Sequence, residues 1–499
     1  MWSRRRLVSA AALLAAGRLV TARDAAVARA SERLERDPFP MGVAAGDLRP
    51  DGFVLWTRAM GLTGDVRLNY EIAHDGAFRN IVRRGTVFAP ARLGHSAHAV
   101  IRGLPAGRQF HYRFHLRDAV SRTGQVATLP QRTDRVRLAL TSCQHYEQGW
   151  FTAYRDMIAQ APDAVLQVGD YIYEKSFGSG PDVRSFRAPD PRTLDDYRAR
   201  YALYHLDPDL QAARAAFPFL VMWDDHEVEN DYAGANGVET ADPARFIERR
   251  AAAYQAYFEH MPIDPRSVLA TGGIDLFRRY RWGDLATVHL VDGRQYRSVQ
   301  PCSSGKRGGG VARPCADRTA ATATMLGRAQ SRWLAQGLAQ ETARWSLVAQ
   351  QTLVAPLRMP QSPDAFYSDL WDGYPAAREE LLRALGAPAV RNAVVLGGDV
   401  HSFWVNDLNG ADGRIAATEL VTTCLASRNG PPALFEGAQA RNPHVRYHDN
   451  AHAGWMQLDV TARAVECDLR VVNDLRRPDS PSRSLARCSI LDGLPGARF

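Results

Sequence analysis

The chain has 499 residues, of which 45% are hydrophobic and 23% charged, a balance typical of a folded globular protein and not of a disordered one. Its length favours two or three domains. The formal charge of +8 is concentrated at the start: residues 1–30 hold six Arg and one Asp, and the rest of the chain holds 56 basic and 53 acidic residues. Because no run of five basic residues follows, we expect no specific nucleic-acid partner.

The first 30 residues predict an export signal. Three arginines in Ser3–Leu7 precede an apolar Ala/Leu stretch, and Ala28–Ala30 offers small residues for cleavage. The apolar stretch is interrupted by Arg18 and is too short for a membrane span. This pattern is typical of a twin-arginine signal, which predicts the twin-arginine export machinery as a partner and a periplasmic or secreted protein. The alternative is a disordered basic N-terminus.

The rest of the chain divides into regions with different sequence patterns. Residues 36–130 show short alternating runs separated by Gly, Pro and Asp turns, which predicts an N-terminal β-sandwich. In residues 135–475, buried apolar runs such as "VRLALTSC" and "AVLQVGD" alternate with helical periods, which predicts an α/β catalytic domain. Residues 476–499 are rich in Pro, Ser and Arg and are interpreted as a C-terminal tail. We expect a monomer.

Cysteine usage agrees with export. Cys302 and Cys315 enclose a Gly-rich polar loop, and Cys467 and Cys488 form a second candidate disulfide pair. Cys424 is predicted to be a buried free thiol. Spacing alone does not fix the connectivity.

Polar residues follow four of the predicted strands in the α/β part. In open α/β sheets ligands collect beyond the carboxyl ends of the strands, so segments far apart in sequence can deliver side chains to one edge. A single Asp in such a place is commonly a turn residue, but four strand ends together predict a metal site. The residues concerned are Cys143, Asp170 with Tyr173, Asp224 and Asp225 with His226 and Asn230, and Asp399 with His401.

The ligand types fall into two sets. A thiolate, a phenolate, a carboxylate and an imidazole suit a trivalent ion such as Fe(III), whereas carboxylate and amide oxygens suit Ca²⁺. Asp170, with two oxygens, can bridge both ions. Two metals about 3.5–4 Å apart can hold a phosphate and activate a water or hydroxide. The sequence therefore predicts that Asp170 bridges two metals and that Tyr173 binds one of them.

Several segments resemble one family, the alkaline phosphatase D family of calcineurin-like metallophosphoesterases. They are "GDYIYE", "WDDHEVEN", "GGDVH" and the early "FPMGVAAGDLRPDGFVLWTR". The resemblance covers nearly all of the chain after residue 38. It implies a four-layer α/β/β/α catalytic domain behind the N-terminal β-sandwich, and hydrolysis of phosphate mono- or diesters at alkaline pH.

The resemblance also implies roles. Cys143 stands where the superfamily has an Asp-x-His motif. Iron would be held by Cys143, Asp170, Tyr173 and His401. Calcium would be held by Asp170, Asn230 and Asp399 with either Asp224 or Asp225, a choice that the sequence leaves open. Zinc or manganese is not excluded.

Two further residues are candidates for catalysis. His226 is a general acid or phosphate ligand, or else a hydrogen-bond partner of the neighbouring carboxylates. Arg294 is a bidentate phosphate clamp, or else an ion-pair partner of Asp292. His145, Tyr146 and Gln350 are expected to line the pocket.

Three other functions compete with an exported phosphatase and phosphodiesterase. One is a phospholipase D-like enzyme acting on lipid or cell-wall phosphodiesters. Another is a secreted binding protein that keeps the fold without the chemistry. The third is a thiol enzyme built on Cys143 and His145, which would not need three further strands ending in Asp and His.

Overall fold

The computed structural model describes residue 34 and residues 36–177, 182–303, 308–360, 362 and 364–499. The predicted signal of residues 1–30 lies outside this part of the chain. Within the described residues, no helix combines the length and the apolar character needed to cross a membrane.

Residues 36–130 are built from strands, as the sequence predicts. Three of them pair in the order β1-β2-β5, and β4-β3-β6-β7 form a second sheet in which β8 also pairs with β6. The strands are β1 Val43–Arg49, β2 Gly52–Arg58, β3 Val66–Ala73, β4 Ile81–Ala89, β5 Ser96–Ile101, β6 Gln109–Leu116, β7 Ala119–Val120 and β8 Gly124–Ala127.

The first large sheet, sheet I, has seven strands in the order β11-β10-β9-β21-β22-β23-β24. Strands β9, β10 and β11 are parallel, whereas β21 runs antiparallel to β9. Every residue of β10 and β11 is buried, as expected for parallel strands covered on both faces. The strands are β9 Arg135–Thr141, β10 Ala164–Val168, β11 Phe219–Met222, β21 Gly454–Thr461, β22 Ala464–Val472, β23 Ser482–Leu491 and β24 Leu494–Arg498.

The second large sheet, sheet II, has the order β12-β13-β15-β17-β19-β18-β20. Its centre, β13-β15-β17-β19, is parallel. The strands are β12 Arg278–Trp282, β13 Ala286–Leu290, β15 Trp345–Ala349, β17 Ala393–Gly397, β18 Phe403–Asn409, β19 Ile415–Val421 and β20 Val445–Asp449; a separate hairpin pairs β14 Val311–Ala312 with β16 Phe366–Tyr367.

Helices connect these strands. Three of them begin at the caps the sequence supplies: Thr193 forms a capping box with Asp196, and Asp207 and Asp242 each cap a helix whose first residue is Pro. The helices are α1 Ala153–Gln160, α2 Leu194–His205, α3 Pro208–Ala216, α4 Pro243–His260, α5 Gly327–Ala339, α6 Pro375–Leu385, α7 Pro432–Phe435 and α8 Ala438–Arg441.

One hydrophobic cluster joins the two large sheets. It contains Leu138 and Met456 of sheet I together with Val288, Leu347 and Leu396 of sheet II. A second cluster packs α5 and α6 against the other face of sheet II. The sheets therefore share a core, and their strand ends are held in a fixed relation.

Two predictions about the C-terminal region need correction. Residues 476–499 are not a tail, because β23 and β24 complete sheet I. Frequent arginines obscured the alternation that buries Cys488 and Ile490. Cys467 and Cys488 lie opposite each other in β22 and β23 but are free thiols.

The other cysteine predictions are confirmed. Cys302 and Cys315 form a disulfide, and Cys424 is a buried free thiol. The two cysteines are 13 residues apart in sequence. The disulfide therefore closes a short loop, which limits the conformations of the unfolded chain.

A buried polar network joins the N-terminal sheets to the helices. Arg58 Nη1 lies 2.5 Å from His260 Nε2, and Arg214 Nη1 lies 2.6 Å from His205 Nδ1. An arginine only donates, so each imidazole must accept and be neutral. Burial, and then the neighbouring guanidinium groups, lower the pKa of both histidines well below 6.5.

This network predicts loss of stability in mild acid. The folded pKa of each histidine lies below its unfolded value of about 6.5, so below that pH the unfolded chain binds more protons and is favoured. Each histidine should lower the free energy of unfolding by about 1.4 kcal/mol per pH unit below about pH 6.5. Urea unfolding at several pH values should show a shallower pH dependence for His260→Gln, whereas His111→Gln on the N-terminal sheet should match the wild type. Equal slopes for all three proteins would contradict the assignment.

Candidate metal and phosphate site

The predicted strand ends converge in the structure. Cys143 follows β9, Asp170 follows β10, Asp224 and Asp225 follow β11, and Asp399 follows β17 of the other sheet. The two sheets meet here, because a Cβ on Gly398 would lie 2.3 Å from Ser142 Oγ. The glycine of "GGDVH" thus permits the contact that brings the fourth strand end to the other three.

The backbone is strained at these same residues. Cys143, Asp170, Asp399 and His401 all have positive φ, between 52° and 68°, a region that side chains other than Gly rarely adopt. Such conformations persist where the surrounding structure enforces them and are concentrated at functional sites.

One group of possible ligands has Asp170 at its centre. Ligand atoms of Cys143, Asp170 and His401 all lie within 4.8 Å of one another. Tyr173 Oη lies 2.9 Å from both Asp170 Oδ2 and His401 Nε2. Asp170 Oδ1 is buried and has no hydrogen-bond partner among the described residues, so the donor set fits a cation.

A second group shares Asp170. Its carboxylate, that of Asp225 and a ring nitrogen of His226 are again within 4.8 Å of one another. Asp225 Oδ1 is buried and accepts no hydrogen bond from the described residues, with Arg294 Nη2 3.7 Å away. Asn230 and Asp399 line the same cavity of about 490 Å³. Membership of Asp170 in both groups is the geometry that a bridging carboxylate requires.

The structure distinguishes Asp224 from Asp225. Asp225 lines the cavity, whereas Asp224 accepts a hydrogen bond from Arg294 Nε. Arg294 is fully buried, is absent from the cavity wall and pairs with Asp369 at 2.8 Å. The alternative of an ion pair with Asp292 is wrong, since Arg294 donates its backbone N–H and not its guanidinium to Asp292. This geometry favours an ion-pair role for Arg294 over a phosphate clamp.

Acidic side chains are concentrated around the cavity. Burial, with repulsion from Asp225 and Asp224 added, raises the pKa of Asp170 well above its usual range. Burial also raises the pKa of Asp399 and of Asp231 to about 7, and that of the Cys143 thiol well above 9. Buried carboxylates and a thiol that resist ionisation are stabilised as anions when a cation binds among them.

His226 is fixed from two sides. Its Nδ1 lies 2.7 Å from Glu174 Oε2, and its ring stacks on Tyr173 at 4.2 Å. Burial disfavours the charged imidazole, but Glu174 and Asp225 outweigh it and raise the pKa of His226 well above 6.5. Sequence reasoning missed Glu174, although it ends the quoted segment "GDYIYE".

Glu227 is a second residue that sequence reasoning missed. Its carboxylate accepts three backbone N–H groups, from Tyr171 at 2.6 Å, Asp224 at 2.8 Å and Asp170 at 3.2 Å. Burial raises its pKa to about 8 against the lowering effect of these donors. One buried side chain thus joins the loops after β10 and β11. A Glu inside a motif of acidic residues gives no sequence signal for that role.

The expected lining residues divide. His145 lines the cavity, whereas Tyr146 and Gln350 do not. Gln350 accepts a hydrogen bond from Trp371 Nε1 at 3.0 Å instead. Asp231 and Asp369 line the cavity without having been predicted.

The fold is that of a metallophosphoesterase-like α/β protein. A purple acid phosphatase from yellow lupin seeds superposes with a TM-score of 0.55 at 12% identity, over 89% of this chain and 73% of that one, and so shares the fold. The solved structure of PhoD superposes with a TM-score of 0.87 at 34% identity, covering 93% and 92% of the two chains.

The family follows from sequence as well. The PhoD-like phosphatase family matches residues 138–469, and its N-terminal domain matches residues 24–130. Alkaline phosphatase D of Bacillus subtilis strain 168 is 37% identical over 464 residues, which span 88% of this chain and 79% of that protein. The chain belongs to the PhoD-like phosphatase family, as the sequence motifs predicted.

We predict that Glu227→Gln loosens the site. Glutamine retains one acceptor oxygen and places an NH₂ group against backbone donors, which should cost about 2–3 kcal/mol of unfolding free energy and reduce the metal content of the purified protein. Urea unfolding and elemental analysis measure both effects, with Glu379→Gln on the exposed face of α6 as the matched control. Unchanged stability and metal content would show that the three hydrogen bonds do not hold the loops.

Proposed function

We propose that this chain is an exported metal-dependent phosphatase and phosphodiesterase that hydrolyses phosphate esters at a two-metal centre. The observation that carries the proposal is the pair of ligand groups sharing Asp170 beside one cavity. Membership of the PhoD-like phosphatase family supports the same reaction class.

The ligand sets are built on the two groups, except that His226 is kept as a hydrogen-bond donor to the substrate and Asn230 and Asp399 of the cavity wall take its place. Cys143, Asp170, Tyr173 and His401 are assigned to iron, and Asp170, Asp225, Asn230 and Asp399 to calcium. The thiol, phenol and imidazole of the first set suit Fe(III), and the oxygens of the second suit Ca²⁺. When bound, such ions supply Lewis acidity to the phosphoryl group and lower the pKa of water.

The protein's own groups position the ester. Glu174 engages Nδ1 of His226, which leaves Nε2 as the nitrogen available to donate to a phosphate or leaving-group oxygen. Arg294 pairs with Asp224 behind the cavity and with Asp369 on its wall, which offsets part of the negative charge that a substrate meets.

The proposal includes the finer architecture and the location. The shared cluster between the two seven-stranded sheets supports a four-layer α/β/β/α arrangement behind an N-terminal β-sandwich. The arginines and apolar stretch of residues 1–30 support export through the twin-arginine pathway.

Replacing central ligands should remove activity without unfolding the protein. We expect Cys143→Ala and Asp170→Asn to lower kcat with an aryl phosphate by at least about 10³-fold, with an unchanged circular dichroism spectrum. Cys467→Ala, which removes a buried free thiol of β22, should keep full activity. Retained turnover in either ligand variant would contradict the two-metal assignment.

Elemental analysis of protein purified without chelators or added metal tests the ions. We expect iron near one per chain, with calcium. Two zinc or manganese ions would preserve the phosphoesterase but contradict the iron role of Cys143 and Tyr173. Absence of metal would favour the binding-protein alternative.

Substitutions in the predicted signal of residues 1–30 test export. Replacing Arg4 and Arg5 by Lys should leave the precursor in the cytoplasm, because the twin-arginine pathway reads the arginine pair as an address. Cell fractionation measures the distribution, and Arg23→Lys is the control. Normal periplasmic accumulation of the double variant would show that the leader is not such a signal.

A further inference from the structure

The cavity beside the ligand groups has one apolar wall. Its volume of about 490 Å³ lies within the range of about 300–1,000 Å³ that holds a whole small organic molecule, which is more than a phosphoryl group requires. Beyond the polar ligands, the described lining includes Leu357, Met359, Leu370, Val400, Leu434 and Phe435.

This wall begins at the ligands themselves. Val400 lies between Asp399 and His401 in the chain and lines the cavity. His401 Nδ1 lies 2.6 Å from the carbonyl oxygen of Arg428, and Gly430 N donates to the carbonyl oxygen of His401 at 3.3 Å. The segment that leads into α7 is therefore tied to a candidate metal ligand, so the apolar wall adjoins the place where the ester is cleaved.

The wall is also held in place from behind. Phe435 packs edge-on against Trp404, with ring centroids 5.3 Å apart. The backbone N–H of Leu357 donates to Asp372 Oδ2 at 2.6 Å, and that of Arg358 donates to Asn442 Oδ1 at 2.8 Å. A preformed apolar surface binds an apolar group at a lower ordering cost than a flexible one.

Charge in the cavity disfavours an anionic leaving group. Of the described lining residues, Arg428 carries the one guanidinium and none is a lysine. Arg428 donates to both oxygens of Asp182, at 2.8 and 2.9 Å, and to the carbonyl oxygen of Phe177. A second phosphate or a carboxylate would therefore meet no lysine among these residues and a guanidinium that is already paired with Asp182.

We propose that the wall formed by Leu357, Met359, Leu370, Val400, Leu434 and Phe435 binds the leaving group, and that the preferred substrates are phosphate esters of apolar alkyl or aryl alcohols. This inference rests on the proposed function and adds the substrate class. Hydrolysis breaks the bond between phosphorus and the ester oxygen, water supplies the new oxygen and the proton, and the apolar alcohol leaves from the wall.

A series of alkyl phosphates tests the inference with holoenzyme. Ethyl, butyl and hexyl phosphate have primary alcohol leaving groups of similar acidity. Differences in kcat/KM among them therefore report how well the alkyl group binds. Each added methylene should raise kcat/KM by about two- to fourfold. Met359→Gln and Leu434→Asn should lower the hexyl-to-ethyl ratio at least threefold. Leu206→Asn, at a leucine that is 53% exposed, should leave the ratio unchanged.

The outcomes separate the two claims. A flat series in the wild type, with ethyl phosphate hydrolysed, would overturn the apolar leaving-group site and leave the proposed function intact. Failure of the metal-loaded enzyme on every ester would overturn the proposed function itself. A rising series whose ratio persists in both wall variants would also overturn the assignment.

One further substrate distinguishes lipid from non-lipid sources of the apolar ester. Dibutanoyl phosphatidic acid is soluble and leaves a diacylglycerol. Hydrolysis at a rate comparable to hexyl phosphate would support a lipid source, and its rejection beside a rising alkyl series would support a small non-lipid ester.

Discussion

The arrangement of the site depends on the hydrogen bonds that the carboxylate of Glu227 accepts from the backbone. This carboxylate accepts the backbone N–H groups of Asp170, Tyr171 and Asp224, so one side chain fixes the two loops that carry the central carboxylates. Asp170 has positive φ, a conformation that local sequence does not favour. Gly169 makes the same turn possible, because a Cβ there would lie 2.4 Å from Cβ of Asp224. The three hydrogen bonds of Glu227 therefore hold the two strand ends together, and the absence of a side chain at Gly169 lets them come into contact.

This contact has an electrostatic consequence that other residues must offset. It places Asp170, Asp224 and Asp225 close together in a buried region, where carboxylates repel one another and lose hydration. Arg294 offsets part of that charge by pairing with Asp224 and Asp369, and Arg297 pairs with Asp369 from a second side. Asp170 Oδ1 has no hydrogen-bond partner in the described structure, and Asp225 Oδ1 has only the more distant Arg294 Nη2, 3.7 Å away. The arginines therefore neutralise Asp224 and Asp369, whereas Asp170, which accepts no hydrogen bond at Oδ1, remains for cations.

The strands and their polar ends could be predicted from sequence because each is a local pattern: a buried apolar run followed by Asp, Cys or His. Convergence of Asp170 and Asp225 followed from the rule for parallel sheets, and the structure agrees with it. The choice between Asp224 and Asp225 could not be predicted, because one residue of register reverses which side chain faces the cavity.

Glu227, Glu174 and Asp369 were missed for a different reason. Each has at least one partner 52 to 75 residues away. A buried acidic residue that accepts hydrogen bonds looks the same in sequence as one that faces solvent. The final strands were missed because arginine on the exposed face of β23 masks the alternation that buries the other face.

The N-terminal sheets lie outside the cavity but contact the edge strands of both large sheets. β11 is the edge strand of sheet I and leads into Asp224 and Asp225, whereas β12 is the edge strand of sheet II. Gly46 of β1 approaches β11 so closely that a Cβ would lie 2.7 Å from the carbonyl oxygen of Phe219. The next residue, Asp47, accepts hydrogen bonds from Tyr280 of β12 at 3.0 Å and from the backbone of Asp264 at 2.6 Å. One strand of the N-terminal domain therefore contacts both sheets at their edges, and a change in that contact would alter the angle at which their strand ends meet.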